Sequence, residues 1–276
     1  MSKKFLEQLE IVEINIHMDN RLFIDPYKII ESNSEIAKVS RKSIVSFFGC
    51  LFECIKKGDT GMLHELGKDL HEINSTCLGY GEGVNPKGKG FSYNDLFRIY
   101  TNARKLKGIQ LEDFFDILVF TSRMGSDKVS DLVTNLIQFY LIDFTIEYCL
   151  KNGIKFEIKE EKVKKWDISN NKWVKYKKHI PFIQDKPILF VPKEIVSNLQ
   201  TISYVTVYND LVKPYYKANC SKFGLAKILK DGRVAADCKK IREKYPLSRR
   251  VVDNFAREHR NEYDKYKNDK MSGKKL

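Results

Sequence analysis

The stretch from residue 123 to residue 151, RMGSDKVSDLVTNLIQFYLIDFTIEYCLK, decides the fold. It predicts one long helix, because Ser126 is a candidate N-cap and Asn152-Gly153 is a stop signal after Lys151. Apolar residues cover most of its circumference, which is typical of a helix buried in a core. We therefore predict an α+β fold that is organised around this helix.

A narrow arc of the same helix is polar when residues are placed about 100° apart. The arc consists of Asp127, Asp131, Thr134, Asn135 and Gln138. The helix dipole favours two carboxylates near an N-terminus, so a solvated helix start would explain Asp127 and Asp131. The other interpretation is a polar cleft in which they bind a divalent cation such as Mg²⁺ or act as acid and base. The narrowness of the arc favours the cleft.

The charge is distributed unevenly along the 276 residues. The net charge is +13 for the whole chain, −2 for residues 1–153 and +15 for residues 154–276. Lys and Arg side chains that neutralise phosphates gain counterion-release free energy. The asymmetry therefore predicts DNA or RNA as a partner, and a Lys-rich surface that only maintains solubility is the alternative.

Other classes of protein are disfavoured by what the chain does not contain. No run reaches the ~18 uninterrupted apolar residues of a membrane span, and the first residues show no signal-peptide core. The six cysteines are scattered without a C-x-x-C pair, so reduced thiols are expected rather than a zinc site. We predict a cytoplasmic protein with no membrane partner.

The pattern of elements predicts two regions. Residues 1–212 form a mixed α/β core with small antiparallel sheets, and residues 213–276 form a basic helical region with a disordered tail. A β-hairpin is predicted near the start, and its second strand ends at Asp25. Asp25 is a candidate metal ligand at that strand end, although an Asp there more often begins a turn.

Three lysine and glutamate positions could support chemistry on a phosphate. In the predicted strand around residues 154–159, alternation places Glu157 and Lys159 on one face, as in metal-dependent nucleases, although so short a triplet also arises by chance. Lys193 follows a predicted strand at residues 187–191 and is a comparable candidate. A surface lysine is the alternative there.

Two further stretches carry candidate nucleic-acid ligands. The glycine-rich loop near residues 79–90 includes Lys87 and Lys89, and it either contacts a phosphate or is a flexible surface loop. A last long helix, predicted from Ser248 to Lys267, carries four arginines that could contact phosphates. These are Arg249, Arg250, Arg257 and Arg260.

Four motifs together resemble a bacterial family that is met near mobile-element and phage-defence genes. They are Phe23-Ile24-Asp25-Pro26, Gly88-Lys89-Gly90, the run GSDKVSDLVTN at residues 125–135, and Val191-Pro192-Lys193. The resemblance covers residues 20 to 200 and leaves out the basic C-terminal region. It implies that the four motifs belong together, and it suggests a role in antiviral defence.

The leading functional hypothesis is a Mg²⁺-dependent nuclease. Asp127 and Asp131 would be the metal or acid/base carboxylates, and Lys193 or Lys159 would stabilise charge at the phosphate. The alternative is a nucleic-acid-binding module without catalysis, or a subunit of a defence complex that has a protein partner or forms a homo-oligomer.

Overall fold

The computed structural model describes residues 10–14, 20–79, 90–106, 114–121, 124–198 and 201–272. Helices predominate in it and the sheets are small and antiparallel, which confirms the predicted α+β class. The helices are α1 (Pro26–Glu31), α2 (Glu35–Lys57), α3 (Thr60–Gly67), α4 (Tyr93–Lys105), α5 (Phe114–Phe120), α6 (Ser126–Asn152), α7 (Tyr204–Val207), α8 (Lys213–Ala218), α9 (Cys238–Lys244), α10 (Arg249–Glu258) and α11 (Arg260–Met271).

Within the part of the chain that the structure describes, the strands form three separate sheets. They are β1 (Phe23–Ile24), β2 (Glu157–Asp167), β3 (Lys172–Ile183), β4 (Lys186–Pro187), β5 (Val196–Ser197), β6 (Ala226–Ile228) and β7 (Val234–Ala236). β1 pairs with β5, β2 pairs with β3, β3 pairs with β4, and β6 pairs with β7. Each of these strand pairs is antiparallel, and an isolated parallel bridge joins Asn20 and Leu78.

The chain divides into two compact units. Unit 1 comprises Met1–Lys105 and Ser122–Thr201, and unit 2 comprises Leu106–Thr121 and Ile202–Leu276. The sequence prediction placed a boundary at residue 212. The division between compact units lies between Thr201 and Ile202, and the inserted segment that contains α5 belongs to unit 2.

Helix α6 is the buried centre of unit 1, as its apolar circumference predicted. It ends at Gly153, whose φ of 65° is left-handed and whose N–H donates to the Cys149 carbonyl. The predicted N-cap was wrong by one residue. Gly125 is the N-cap, because its backbone is extended while its carbonyl already accepts from Val129 N–H, at 3.1 Å.

The hairpin β2–β3 packs against α6 and α2, and it confirms the predicted antiparallel sheet. Lys178 forms an ion pair with Asp143 of α6 at 2.7 Å, and its ammonium lies 3.5 Å from the centroid of the Phe139 ring. Near the turn, Trp166 is fully buried against Phe47 of α2. These contacts fix the hairpin on the helical core.

The hairpin predicted at the start of the chain was wrong for the residues described. Phe23 and Ile24 pair with Ser197 and Val196, while Ile11 forms a bridge with Pro192. Both residues of β1 are buried, so this short strand is covered by the core rather than presented on a surface. The strand predicted at residues 187–191 was also wrong beyond Pro187. The buried segment 188–191 is not a strand, and Leu189 N–H donates to the Ser75 carbonyl.

Unit 2 is mainly helical, with the β6–β7 hairpin as its small sheet. The long helix predicted from Ser248 to Lys267 is two helices, α10 and α11, which are separated at His259. α5 is joined to α11 by a buried ion pair between Asp116 and Lys267, at 3.1 Å. Tyr263 OH also donates to the Asp116 carboxylate, at 2.9 Å.

None of the helices in the described residues combines the length and the apolar character that crossing a membrane requires.

Candidate functional site

The first turns of α6 hold a cluster of carboxylates in unit 1. Asp131 is mostly buried and accepts a hydrogen bond from the Phe91 backbone. Burial, and then the negative charges of Asp127 and Glu72, raise the pKa of Asp131 to about 7, against a lowering by Lys128 and Phe91. A carboxyl group that titrates near neutral pH can both accept and donate a proton.

Lys128 connects this cluster to the start of α4. Its ammonium donates to the Gly90 carbonyl at 2.8 Å and to Asp95 Oδ2 at 3.1 Å. Burial alone would raise the pKa of Asp95, but hydrogen bonds from the Ser92 hydroxyl and Lys128 lower it below its ordinary value. Asp95, which accepts from Ser92, therefore also positions the Lys128 ammonium near Asp131.

Gly90 is required by the close approach of Glu72. A Cβ atom at Gly90 would lie 2.5 Å from Glu72 Cβ and 2.7 Å from Glu72 Cα, which no real side chain tolerates. Gly90 N–H faces Glu72 Oε2 at 3.4 Å. The last glycine of the Gly88-Lys89-Gly90 motif thus places Glu72 in the carboxylate cluster.

Asn135 fixes the backbone that precedes Glu72. Its Oδ1 accepts from His71 N–H at 3.2 Å, and its Nδ2 donates to the His71 carbonyl at 2.7 Å. Thr134, its neighbour on the polar arc, is buried and donates to the Ser130 carbonyl. These two arc residues are therefore structural, and Asn135 holds the segment that carries the third carboxylate.

A cavity of about 370 Å³ begins beside this segment. Its polar lining includes Glu72, Gln138 of the predicted arc, and Lys162 and Lys164 of β2. Its apolar lining includes Ile142, Val163, Ile180, Phe182, Pro187 and Leu189. The polar strip of α6 therefore does reach a cavity at Gln138, and Glu72 is common to the cavity and the carboxylate cluster.

Asp25 is used structurally. It is buried, its Oδ1 accepts from Tyr27 N–H as the N-cap of α1, and its Oδ2 accepts from Ser197 Oγ and from Thr201 N–H and Oγ1. These bonds account for both carboxylate oxygens. Asp25 thus joins α1 to β5, and the structure gives it no contact with Asp127 or Asp131 among the residues described.

Glu157 and Lys159 share a face of β2, as alternation predicted, and their side chains lie 3.9 Å apart. Both are exposed, and Lys159 also approaches the exposed Asp185 at 3.6 Å. Lys193 is exposed too and pairs with Glu10 at 3.2 Å. Neither lysine is brought to the carboxylate cluster by these contacts.

The predicted nucleic-acid ligands divide into three groups. Lys87 and Lys89 lie outside the described residues. Arg249 is largely buried, donates to the Val119 carbonyl and lies over the Tyr204 ring, and burial lowers its pKa. Arg250 and Arg257 are exposed on α10, whereas Arg260 pairs with Asp264 at 2.8 Å.

The chemistry of the cluster suits a cation that is shared with a substrate. Within the described ranges, no group of three or more His, Cys, Asp or Glu side chains is arranged to hold a metal ion by itself. Mg²⁺ in phosphoryl-transfer sites usually takes one or two carboxylates and completes its shell with water and substrate phosphates. Asp127 and Asp131 are the pair that could supply such ligands.

Sequence reasoning missed Glu72, Lys128 and the cavity residues Lys162 and Lys164. Lys128 lies inside the quoted motif and Glu72 follows a histidine, but nothing local in the sequence relates residue 72 to residue 131. The detectable feature was Gly90, because an unexplained glycine in a motif often marks a close backbone approach. The partner of that approach is set by the tertiary fold.

The chain belongs to the family of the domain of unknown function DUF8370, whose model matches residues 1–203. Residues 204–276, which include the C-terminal helices of unit 2, lie beyond that match. Comparisons with curated proteins and with solved structures give no match.

Proposed function

We propose that the protein is a nuclease whose carboxylate cluster, Asp127, Asp131 and Glu72, acts on phosphodiester bonds of nucleic acid. The observation that carries this proposal is the mostly buried Asp131 carboxyl, whose pKa is raised to about 7 by burial and by the negative charges of Asp127 and Glu72. Repulsion among the like charges of this cluster lowers the stability of the fold, and such a concentration of like charge is typical of functional sites.

The residues would divide the work as follows. Asp127 and Asp131 would hold Mg²⁺, which when bound supplies a Lewis acid for the phosphate and lowers the pKa of an attacking water. The negative charge of Glu72 would keep the pKa of Asp131 raised, so that Asp131 retains a proton until a cation displaces it. Lys162 at the cavity would contact an adjacent phosphate, since Lys164 is committed to Asp69 at 2.9 Å.

The experiment is a cleavage assay on plasmid DNA and on RNA, with Mg²⁺ or with a chelator. We expect cleavage that requires the cation and falls by about a hundredfold or more in Asp127→Asn, because removing the charge weakens the metal site. Cleavage that persists in the chelator would contradict the role of the cation. An inactive protein on all substrates would contradict the nuclease proposal itself.

A second candidate function, nucleic-acid binding without catalysis, is favoured by four lysines of the β2–β3 hairpin. Lys162 stands directly opposite Lys177, and Lys164 stands directly opposite Lys175. Lys177 also pairs with Glu160 and Lys164 with Asp69, each at 2.9 Å. Like charges in these positions destabilise a hairpin by a few tenths of a kcal/mol to about 1 kcal/mol. A polyanionic partner would offset this repulsion.

A subunit of a defence complex is the third proposal, and co-purification would identify its partner.

A further inference from the structure

Unit 2 contains two helices joined by a short, fixed turn. α9 ends at Lys244, residues 245–248 make the turn, and α10 begins at Arg249. The Ser248 hydroxyl accepts from Val251 N–H as the N-cap of α10. A four-residue turn between two helices has the length of the helix-turn-helix arrangement found in many DNA-binding proteins.

The turn is held by aromatic packing. The Tyr245 ring stacks on Tyr216, with the ring centroids 3.7 Å apart and the planes 9° from parallel. The Tyr245 carbonyl accepts a hydrogen bond from Tyr208 OH at 2.7 Å. The start of α10 is therefore presented from a rigid support rather than from a mobile loop.

The two faces of α10 differ sharply. Val252, Phe255 and Ala256 are buried on one face. The other face carries Arg250, Asn254 and Arg257, spaced at i, i+4 and i+7, and the Arg257 guanidinium donates to Asn254 Oδ1. Arg and Asn are the side chains that read guanine and adenine through paired hydrogen bonds in the major groove.

Exposed basic residues lie on the two elements that precede α10 in the sequence. On α9 they are Lys239, Lys240, Arg242 and Lys244, and on the β6–β7 hairpin and its turn they are Lys227, Lys230 and Arg233. Residues 226–258 contain ten Lys and Arg against five Asp and Glu. Lysines and arginines that contact phosphates position a protein on a duplex, while contacts to the base edges select the sequence.

We propose that α10 is a recognition helix that enters the major groove of double-stranded DNA, with Arg250, Asn254 and Arg257 at the base edges. This proposal deepens the proposed function by naming the substrate class, and it relies on that function only for nucleic acid as the partner. Arg249 takes no part in reading bases, since its guanidinium is bonded to Val119 within unit 2.

The test is fluorescence anisotropy of the full chain carrying Asp131→Asn, in chelator, so that cleavage plays no part. The probes are a random-sequence DNA duplex, the corresponding single strands and an RNA duplex. We expect the DNA duplex to bind best, and Arg250→Ala with Arg257→Ala to weaken that binding by about tenfold or more. The matched control is Lys217→Ala with Lys265→Ala, which removes the same charge from exposed positions outside α9 and α10.

Arg250→Lys separates base reading from charge. It keeps the positive charge but loses the paired hydrogen bonds, so sequence selection from the random pool should weaken while affinity for the unselected pool changes by less than about threefold. Equal or tighter binding of single strands or of RNA would overturn the proposal. So would equal losses in the Arg250, Arg257 variant and in the lysine control, because only a general charge effect would then remain. DNA binding without any cleavage by the parent chain would contradict the nuclease and leave the recognition helix supported.

Discussion

Asp131 is the residue on which the candidate site depends. Its carboxyl ionises near pH 7 in the folded protein and near its ordinary value of about 4 in the unfolded chain. Between these two values the folded state holds a proton that the unfolded state has lost. The free energy of unfolding should therefore fall as the pH rises from about 4 to about 7.

Asp131→Asn should remove this fall in the free energy of unfolding at higher pH. We expect the variant to be more stable than the parent by about 2 kcal/mol near pH 8 and equally stable near pH 4. Urea unfolding across a series of pH values makes the measurement. Asp185→Asn is the control, because it removes the same charge from an exposed turn position, where Asn also accepts the left-handed backbone. A parent and an Asp131→Asn variant with the same pH dependence would contradict the raised pKa.

Gly90 is the second residue with a specific requirement. Gly90→Ala should destabilise the protein by about 1–3 kcal/mol, because the added Cβ atom must displace Glu72. Gly153→Ala is the comparison: it has open space, so its cost of about 1 kcal/mol comes from the left-handed backbone alone. Thermal unfolding measures both. Only Gly90→Ala should also lower the pKa of Asp131, by moving the Glu72 charge away.

The hairpin β2–β3 is the element in which stability and binding should oppose each other. Lys162→Glu replaces a like-charge pair with an opposite-charge pair facing Lys177, so it should stabilise the hairpin by a few tenths of a kcal/mol. It should also weaken nucleic-acid binding and reduce its salt dependence. Urea unfolding and anisotropy at several salt concentrations give the two results. A variant that gains stability and binds unchanged would exclude this part of the hairpin as a binding surface.

Local patterns predicted the elements that local interactions determine. The end of α6 follows from Gly153, whose backbone is left-handed, and the β2–β3 hairpin follows from alternation. The failures concern contacts between residues far apart in sequence. Phe23 pairs with Ser197, and Arg249 is buried against Val119, and neither partner is set by spacing along the chain.

The candidate site shows the same limit. The arc of α6 identified Asp127, Asp131 and Gln138, because helical periodicity alone brings them together. Glu72 and Lys162 come from other elements, so only the tertiary structure joins them to the site. Asp25 looked like a ligand because a strand end and a helix N-cap both favour Asp, and the structure uses it as the cap.

At the scale of the whole molecule, unit 2 is assembled from two separate parts of the chain. The buried pair Asp116–Lys267 links its inserted segment to its C-terminal helix. Lys267→Met should cost about 3–5 kcal/mol, because it leaves the Asp116 carboxylate buried without its cation. The double variant Lys267→Met with Asp116→Leu should recover part of that loss. Limited proteolysis and thermal unfolding would detect both effects, and an unaffected Lys267→Met would refute the pair's role.

The central claim is that the carboxylates of α6 act on nucleic acid, and one comparison of cleavage rates tests it most directly. Asp131→Asn and Asp185→Asn carry the same substitution, one in the cluster and one in an exposed turn. With Mg²⁺ and plasmid DNA or RNA, we predict a loss of about a hundredfold or more for Asp131→Asn and near-parental cleavage for Asp185→Asn. Full cleavage by a folded Asp131→Asn variant would contradict the claim.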